Sequence, residues 1–122
     1  MENKKAVIEI KTDGEIRLHE TAPDADILTT LQGIVGGYIE VVPTSIRGVF
    51  LVVNEEGLVD ELPCNPVASI LMEHGSYIAG NAALTVEGVD ENGERDPAPM
   101  DSKFAEIVAD AVRQLCIRTL FG

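Results

Sequence analysis

Positive charge is scarce in this chain. Nine Lys and Arg stand against 21 Asp and Glu in 122 residues, a formal net charge of −12. Direct nucleic-acid binding needs clustered Lys and Arg to neutralise phosphates, so it is not expected here. Cysteine is nearly as rare. Cys64 and Cys116 stand alone, far apart and outside any C-x-x-C spacing, which argues against a secreted disulfide scaffold and suits two reduced thiols in a cytosol. His19 and His74 are the only histidines, too few for a zinc site at motif spacing. No stretch approaches the roughly 18 apolar residues that span a bilayer, and Met1-Glu2-Asn3-Lys4-Lys5 leads into a short alternating run rather than a signal-peptide core. The expectation is a soluble cytoplasmic protein that does not engage membranes.

Catalytic groupings are missing as well. Ser45, Ser69, Ser76 and Ser102 lie in no G-x-S-x-G elbow, and no base is placed beside Cys64. Acidic pairs such as Glu55/Glu56, Asp60/Glu61 and Asp90/Glu91 are abundant, and abundance makes each uninformative. The stretch from Asp90 to Asp96 lacks the ligand spacing of a calcium loop. No catalytic residue, metal or cofactor is expected, and the chain reads as non-enzymatic.

The excess negative charge is local. Residues 1–50 carry 5 basic and 8 acidic side chains, residues 51–100 carry 1 and 10, and residues 101–122 carry 3 of each. The acidity belongs to the middle of the chain, where it serves as a solvated surface, as a face for a basic partner, or as an imitation of DNA.

One domain of 122 residues is expected, given an apolar share of 45%. Ala6, Ile8 and Ile10 alternate with Val7 and Glu9, and a second alternation carries Ile16 and Leu18. Asp13-Gly14 between them signals a β-hairpin over residues 1–20. From Pro23 and Asp24 a helix follows, with Ile27, Leu28, Leu31, Ile34 and Val35 at helical spacing. Gly33, Gly36 and Gly37 supply a left-handed stop. Tyr38 to Pro43 reads as a strand, and Val49-Phe50-Leu51-Val52-Val53 as a central strand buried on both faces. Asn65 caps and Pro66 opens a short helix that Gly75 ends. Tyr77 to Glu87 reads as a strand with a bulge at Gly80-Asn81. Residues 89–100 form an exposed loop or hairpin tip, with Asn92-Gly93 as its turn. A helix over 101–121, capped by Asp101/Ser102, carries the stripe Phe104, Ile107, Val108, Ala111, Val112, Leu115 and Leu120. The order β-β-α-β-β-α-β-α gives an α+β fold: one mixed or antiparallel sheet of about five strands, with helices packed on one face. The neutral last helix also suits a homo-oligomer.

The segment with the most specific pattern is Asn54-Glu55-Glu56-Gly57 leaving the buried strand, with Asn65-Pro66 shortly after. Loops at the end of a central strand hold binding groups on a rigid scaffold, and Asn both donates and accepts. The alternative is a structural turn, with Asn54 and Gly57 in left-handed backbone and Asn65 only a cap.

Taken together, Gly36-Gly37-Tyr38-Ile39-Glu40, Asn54-Glu55-Glu56-Gly57, Leu62-Pro63-x-Asn65-Pro66-x-Ala68 and Tyr77-Ile78-x-Gly80-Asn81 resemble a domain-of-unknown-function family of phages, plasmids and other bacterial mobile elements. The likeness covers residues 24–88 and leaves out the first hairpin and the last helix. It implies residence in a bacterial host cell and a role against host defence. One expectation is capture of a small nucleotide-type molecule by Tyr38, Asn54, Glu55, Asn65, Arg47 and Asn81. Tyr38 would stack on a base, Asn54 and Asn65 would read polar edges, and helix N-termini near Asn65 or Ser102 would face phosphates. Arg47, Arg113 and Arg118 are the cations available to such a site. The other expectation is an acidic, DNA-mimicking inhibitor of a basic host protein, with Glu55, Glu56, Asp60 and Glu61 on its contact surface.

Overall fold

A computed structural model of the chain describes residues 4–22, 26–73 and 77–121, with residues 120 and 121 described by backbone alone. The expected helix opening at Pro23 and Asp24, the helix-ending Gly75, and His74 and Ser76 lie outside the described residues.

The alternating runs form a hairpin of β1 (Lys5–Ile10) and β2 (Ile16–Thr21), in which Ile10 faces Ile16 and Ile8 faces Leu18. Its turn closes because Gly14 takes φ +93° and Asp13 Oδ1 accepts the Glu15 N–H. Helix α1 (Leu28–Val35) follows and stops at Gly36, whose left-handed φ of 79° lets its N–H return to Gln32 O. Strands β3 (Ile39–Pro43) and β4 (Val49–Asn54) make a second antiparallel hairpin. Helix α2 (Pro66–Leu71) starts as its sequence dictates, with Asn65 as cap and Pro66 in the first turn. Strand β5 (Ala82–Val89) and β6 (Arg95–Ala98) form a third hairpin around Gly93. A two-residue β7 (Met100–Asp101) leads into α3 (Ser102–Phe121), where Asp101 Oδ2 accepts the Lys103 N–H at 3.2 Å.

The fold is α+β around an open antiparallel sheet of order β2-β1-β5-β4-β3, with β6 added to β5 and β7 to β1. Strand β5 is the middle one, and β4 beside it is apolar on both faces.

The division of the helices differs from the one-faced packing expected. Ile8, Ile10, Leu51, Val53 and Leu84 point towards α2 and α3, whereas Val7, Val52 and Ala83 point the other way and are covered by Leu31, Ile34 and Val35 of α1. The reason lies in β1, β4 and β5 themselves. Strands apolar on both faces must be covered on both faces, and a single layer of helices leaves half of that surface in water.

One further difference concerns the start of β5. The strand starts at Ala82 rather than Tyr77, because residues 77–80 pair with residues 63–65 outside the sheet. The stretch 89–100 is a hairpin that supplies β6 and leads to β7. Among the described residues no helix is long and apolar enough to cross a membrane.

Candidate functional site

The register places the C-terminal ends of β1 and β4 and the start of β5 at one end of the sheet, since Ile10 faces Ala82 and Val52 faces Ala83. All the motif segments meet there. Most of their polar side chains are consumed in holding that end together.

Asn54 ends β4 with both halves of its amide engaged. Its Nδ2 donates to Val35 O at 3.1 Å, satisfying a carbonyl in the last turn of α1, and its Oδ1 accepts the Glu56 N–H at 2.7 Å. The Gly57 N–H donates to Asn54 O, and Leu62 N–H returns to Gly57 O, closing the loop 55–61. Gly57 is required by proximity: a Cβ there would stand 2.8 Å from Ala79 O. Neither Asn54 nor Gly57 has positive φ, contrary to the left-handed turn considered above. The left-handed residue of this loop is Glu61, at φ 54°.

Asn65 is fully buried and makes three hydrogen bonds. Its Oδ1 accepts Ala68 N–H at 3.0 Å, and its Nδ2 donates to Ile10 O at 2.9 Å and to Gly80 O at 3.0 Å. One side chain therefore joins the end of β1, the segment before β5 and the start of α2. Asn65 N–H also donates to Ile78 O, and Gly80 N–H to Pro63 O, both at 2.7 Å. Gly80 sits at φ +89°, a left-handed backbone that requires glycine, with Leu62 Cδ1 2.8 Å from where a Cβ would be. Asn81 Oδ1 accepts Thr12 N–H at 3.0 Å, tying the first hairpin's turn to the same end.

Of the six residues expected to bind ligand, Asn54 and Asn65 are thus occupied by backbone groups at both amide atoms, and Asn81 at its Oδ1. Arg47 is exposed in the β3–β4 connection, at the opposite end of that hairpin from Asn54. Tyr38 and Glu55 remain exposed and adjacent, with Glu55 N–H donating to Tyr38 O at 2.9 Å. The helix starts are occupied too: Asn65 takes the Ala68 N–H of α2, and the carboxylate of Asp101 sits at the first N–H groups of α3. Arg113 is held by Asp110 at 2.9 Å.

The face that stays free is of a different kind. A groove of about 240 Å³ is lined by Glu40, Glu55, Leu58, Val59 and Tyr77, over Val53 and Ile78. Leu58, Val59 and Tyr77 are 65%, 81% and 55% exposed, and nearby Tyr38 is 72% exposed above a shallower recess beside Gln32 and Gly33. Leu58, Val59 and Tyr77 thus share one groove, whereas Tyr38 stands over the recess against α1. Glu56, Asp60 and Glu61 stand exposed in the same loop, and among the described residues no Lys or Arg lines the groove. A hydrogen bond with the Cys64 thiol raises the Tyr77 phenol above the ordinary tyrosine range. Among the described residues no three His, Cys, Asp or Glu side chains are placed to hold a metal ion.

Sequence reasoning missed Glu40, Leu58, Val59 and Tyr77. The available signal was Leu58-Val59, two apolar residues inside an acidic loop where neither helical nor strand periodicity uses them.

The backbone is similar to part of the crystal structure of the small RNA methyltransferase HEN1. The TM-score is 0.55 at 14% sequence identity, over 83% of this chain and 15% of that one, and at that identity the likeness concerns the fold alone. A search of curated proteins finds no match. The model of a domain-of-unknown-function family, DUF3846, matches residues 3–107. That span takes in the first hairpin and the start of α3, which the motif resemblance had left out. It joins the interlocking Asn54–Gly57, Leu62–Asn65 and Tyr77–Asn81 segments to the whole sheet, and the chain belongs to the DUF3846 family of domains of unknown function.

Proposed function

We propose that this chain is a non-enzymatic docking domain. Its groove of Glu40, Glu55, Leu58, Val59 and Tyr77, with the acidic loop 55–61 around it, receives a positively charged partner protein. The observation that carries this reading is the coincidence of exposed apolar side chains with carboxylates and no cations. Apolar contact supplies affinity there, and the carboxylates supply steering and selection for basic partners. On the resemblance to domains of phages and plasmids, the partner is a basic defence protein of the host cell, bound in the cytoplasm.

Nucleotide capture has less support. The Asn side chains meant to read a base or sugar are committed to backbone partners, Arg47 is remote, and phosphate would meet carboxylates at the groove. Self-association has a separate candidate surface on α3, where Phe104 and Ile107 are exposed.

Calorimetric titration of the chain with a short peptide of alternating Lys and Val, with the matching Glu/Val peptide, and with AMP tests the reading. Binding of the Lys/Val peptide alone is expected. Binding of AMP alone would restore the nucleotide reading and overturn this one.

A further inference from the structure

Strand β3 is the outermost strand of the sheet and, among the described residues, pairs only with β4. Its ladder phase follows from one bond. Glu55 N–H donates to Tyr38 O, so residues 38 and 55 form a hydrogen-bonded pair. Alternation along an antiparallel ladder then makes 40/53 and 42/51 the next such pairs. Ile39 and Val41 consequently turn their N–H and C=O groups outward, away from β4. Pro43 has no N–H to offer and limits the open edge at that end.

Natural sheet edges are usually guarded by charge, proline or a covering element. The opposite edge, β2, follows this rule: it presents Arg17, His19 and Glu20, and Arg113 donates to Ile16 O at 3.3 Å. On β3, among the described residues, the guards are Glu40, the terminal Pro43 and the end of α2, where Met72 bridges Thr44 just beyond the strand and Ser45 N–H donates to Leu71 O at 2.9 Å. Ile39 and Val41 are left uncovered by them.

Glu40 and Val41 lie on opposite faces of this edge, since Glu40 faces Val53 and Val41 faces Val52. Each lines its own groove. Glu40 lines the acidic groove with Glu55, Leu58 and Tyr77, and Val41 lines a second one of about 180 Å³ with Phe50 and Pro97. The cation of that second groove, Arg95, is paired with Glu87 at 3.3 Å. A strand added to β3 would send alternate side chains towards the two grooves.

We propose that the partner docks as an extra β-strand on the free edge of β3, through a segment that alternates cationic and apolar side chains. The inference rests on the docking reading above and adds its geometry. The outward groups of Ile39 and Val41 hold the added backbone. A Lys or Arg on the Glu40 face lays its alkyl stem on Leu58 and Tyr77 and brings its charge to Glu40 and Glu55. Apolar neighbours on the other face enter the groove of Val41, Phe50 and Pro97.

The test compares the Lys/Val peptide with the same peptide N-methylated at every second residue on its hydrogen-bonding edge, which keeps the charge and removes backbone donors. The full chain is titrated with each, and amide hydrogen exchange is followed on the parent complex. Affinity is expected to fall about tenfold or more on methylation, the scale of a few lost hydrogen bonds, and the Ile39 and Val41 amides are expected to gain protection in the unmethylated complex. Val41→Pro removes one outward donor without taking a bond from β4, and it should weaken binding of the unmethylated peptide. Equal binding of both peptides with unchanged exchange in β3 would overturn strand addition and leave the docking reading standing. Absence of binding by either peptide would overturn both.

Discussion

Replacing Asn65 by alanine separates a structural from a ligand-binding role for the most buried polar side chain at the motif end. The substitution leaves Ala68 N–H uncapped and removes the donor from Ile10 O and Gly80 O. Loss of a helix N-cap costs about 1 kcal/mol, and each carbonyl left without its partner costs about 1 kcal/mol more. The total is roughly 3 kcal/mol, a large part of the stability of a domain this size. At about 3–5 °C per kcal/mol for such a chain, the melting temperature falls by roughly 10 °C. Asn65→Ser retains an acceptor for the helix start but loses both carbonyl donors, so it falls between the parent and Asn65→Ala. Asn65→Asp keeps the cap but faces two carbonyls with a carboxylate, so at neutral pH it is less stable than the serine variant. Thermal unfolding followed by circular dichroism reads all three. A melting temperature for Asn65→Ala within about 2 °C of the parent would refute the reasoning, since it would mean that these bonds add nothing net.

Three further outcomes follow from single residues. Gly57→Ala forces a Cβ against Ala79 O and should cost about 1–3 kcal/mol in chemical denaturation, the scale of an overpacked site; an unchanged midpoint would mean that the loop yields freely. In thiol labelling at neutral pH, exposed Cys64 should react well before Cys116, whose thiol is half-buried and pushed up by that burial. Simultaneous labelling, or Cys116 reacting first, would contradict the packing of α3. Glu15 has its carboxyl lowered, first by its hydrogen bond to Arg17 and then by that to Lys11. Its folded form therefore binds fewer protons than the unfolded chain, and the support it gives the first hairpin is present above the unfolded value and disappears as pH falls through the lower folded one. Glu15→Gln should show a shallower loss of stability in that acid window than the parent, and identical acid profiles would remove Glu15 from the account.

Local rules made much of the fold legible before any coordinates. Asp13-Gly14 fixed a hairpin, Asn65-Pro66 a helix start, and the stripe from Phe104 to Leu115 a long helix, because each is written within a few neighbouring residues. Strand β6 was not legible. Its sequence Arg-Asp-Pro-Ala has no alternation, and it is a strand only because β5 offers an edge to it. The doubly apolar Val49–Val53 run implies cover on both faces, yet nothing in it says which helix lies on which, because periodicity shows which residues are buried and not what covers them.

The site divided along the same line. Asn65 stood out by motif, but its partners Ile10 and Gly80 are 55 and 15 residues away, so its amide looked available when it was already bonded. Glu40, Leu58, Val59 and Tyr77 come from three separate segments, and only folding makes them one surface.

The central claim is that this surface selects a basic partner, and charge removal tests it most directly. Glu40, Glu55, Glu56 and Glu61 are replaced together by Gln, and fluorescence anisotropy of a labelled Lys/Val peptide is recorded at low and at physiological salt. Circular dichroism verifies that the variant stays folded. The account predicts that the parent binds, that its affinity falls as salt rises, and that the variant binds about tenfold or more weakly with little salt dependence left. A folded variant that binds the peptide as tightly as the parent would contradict it.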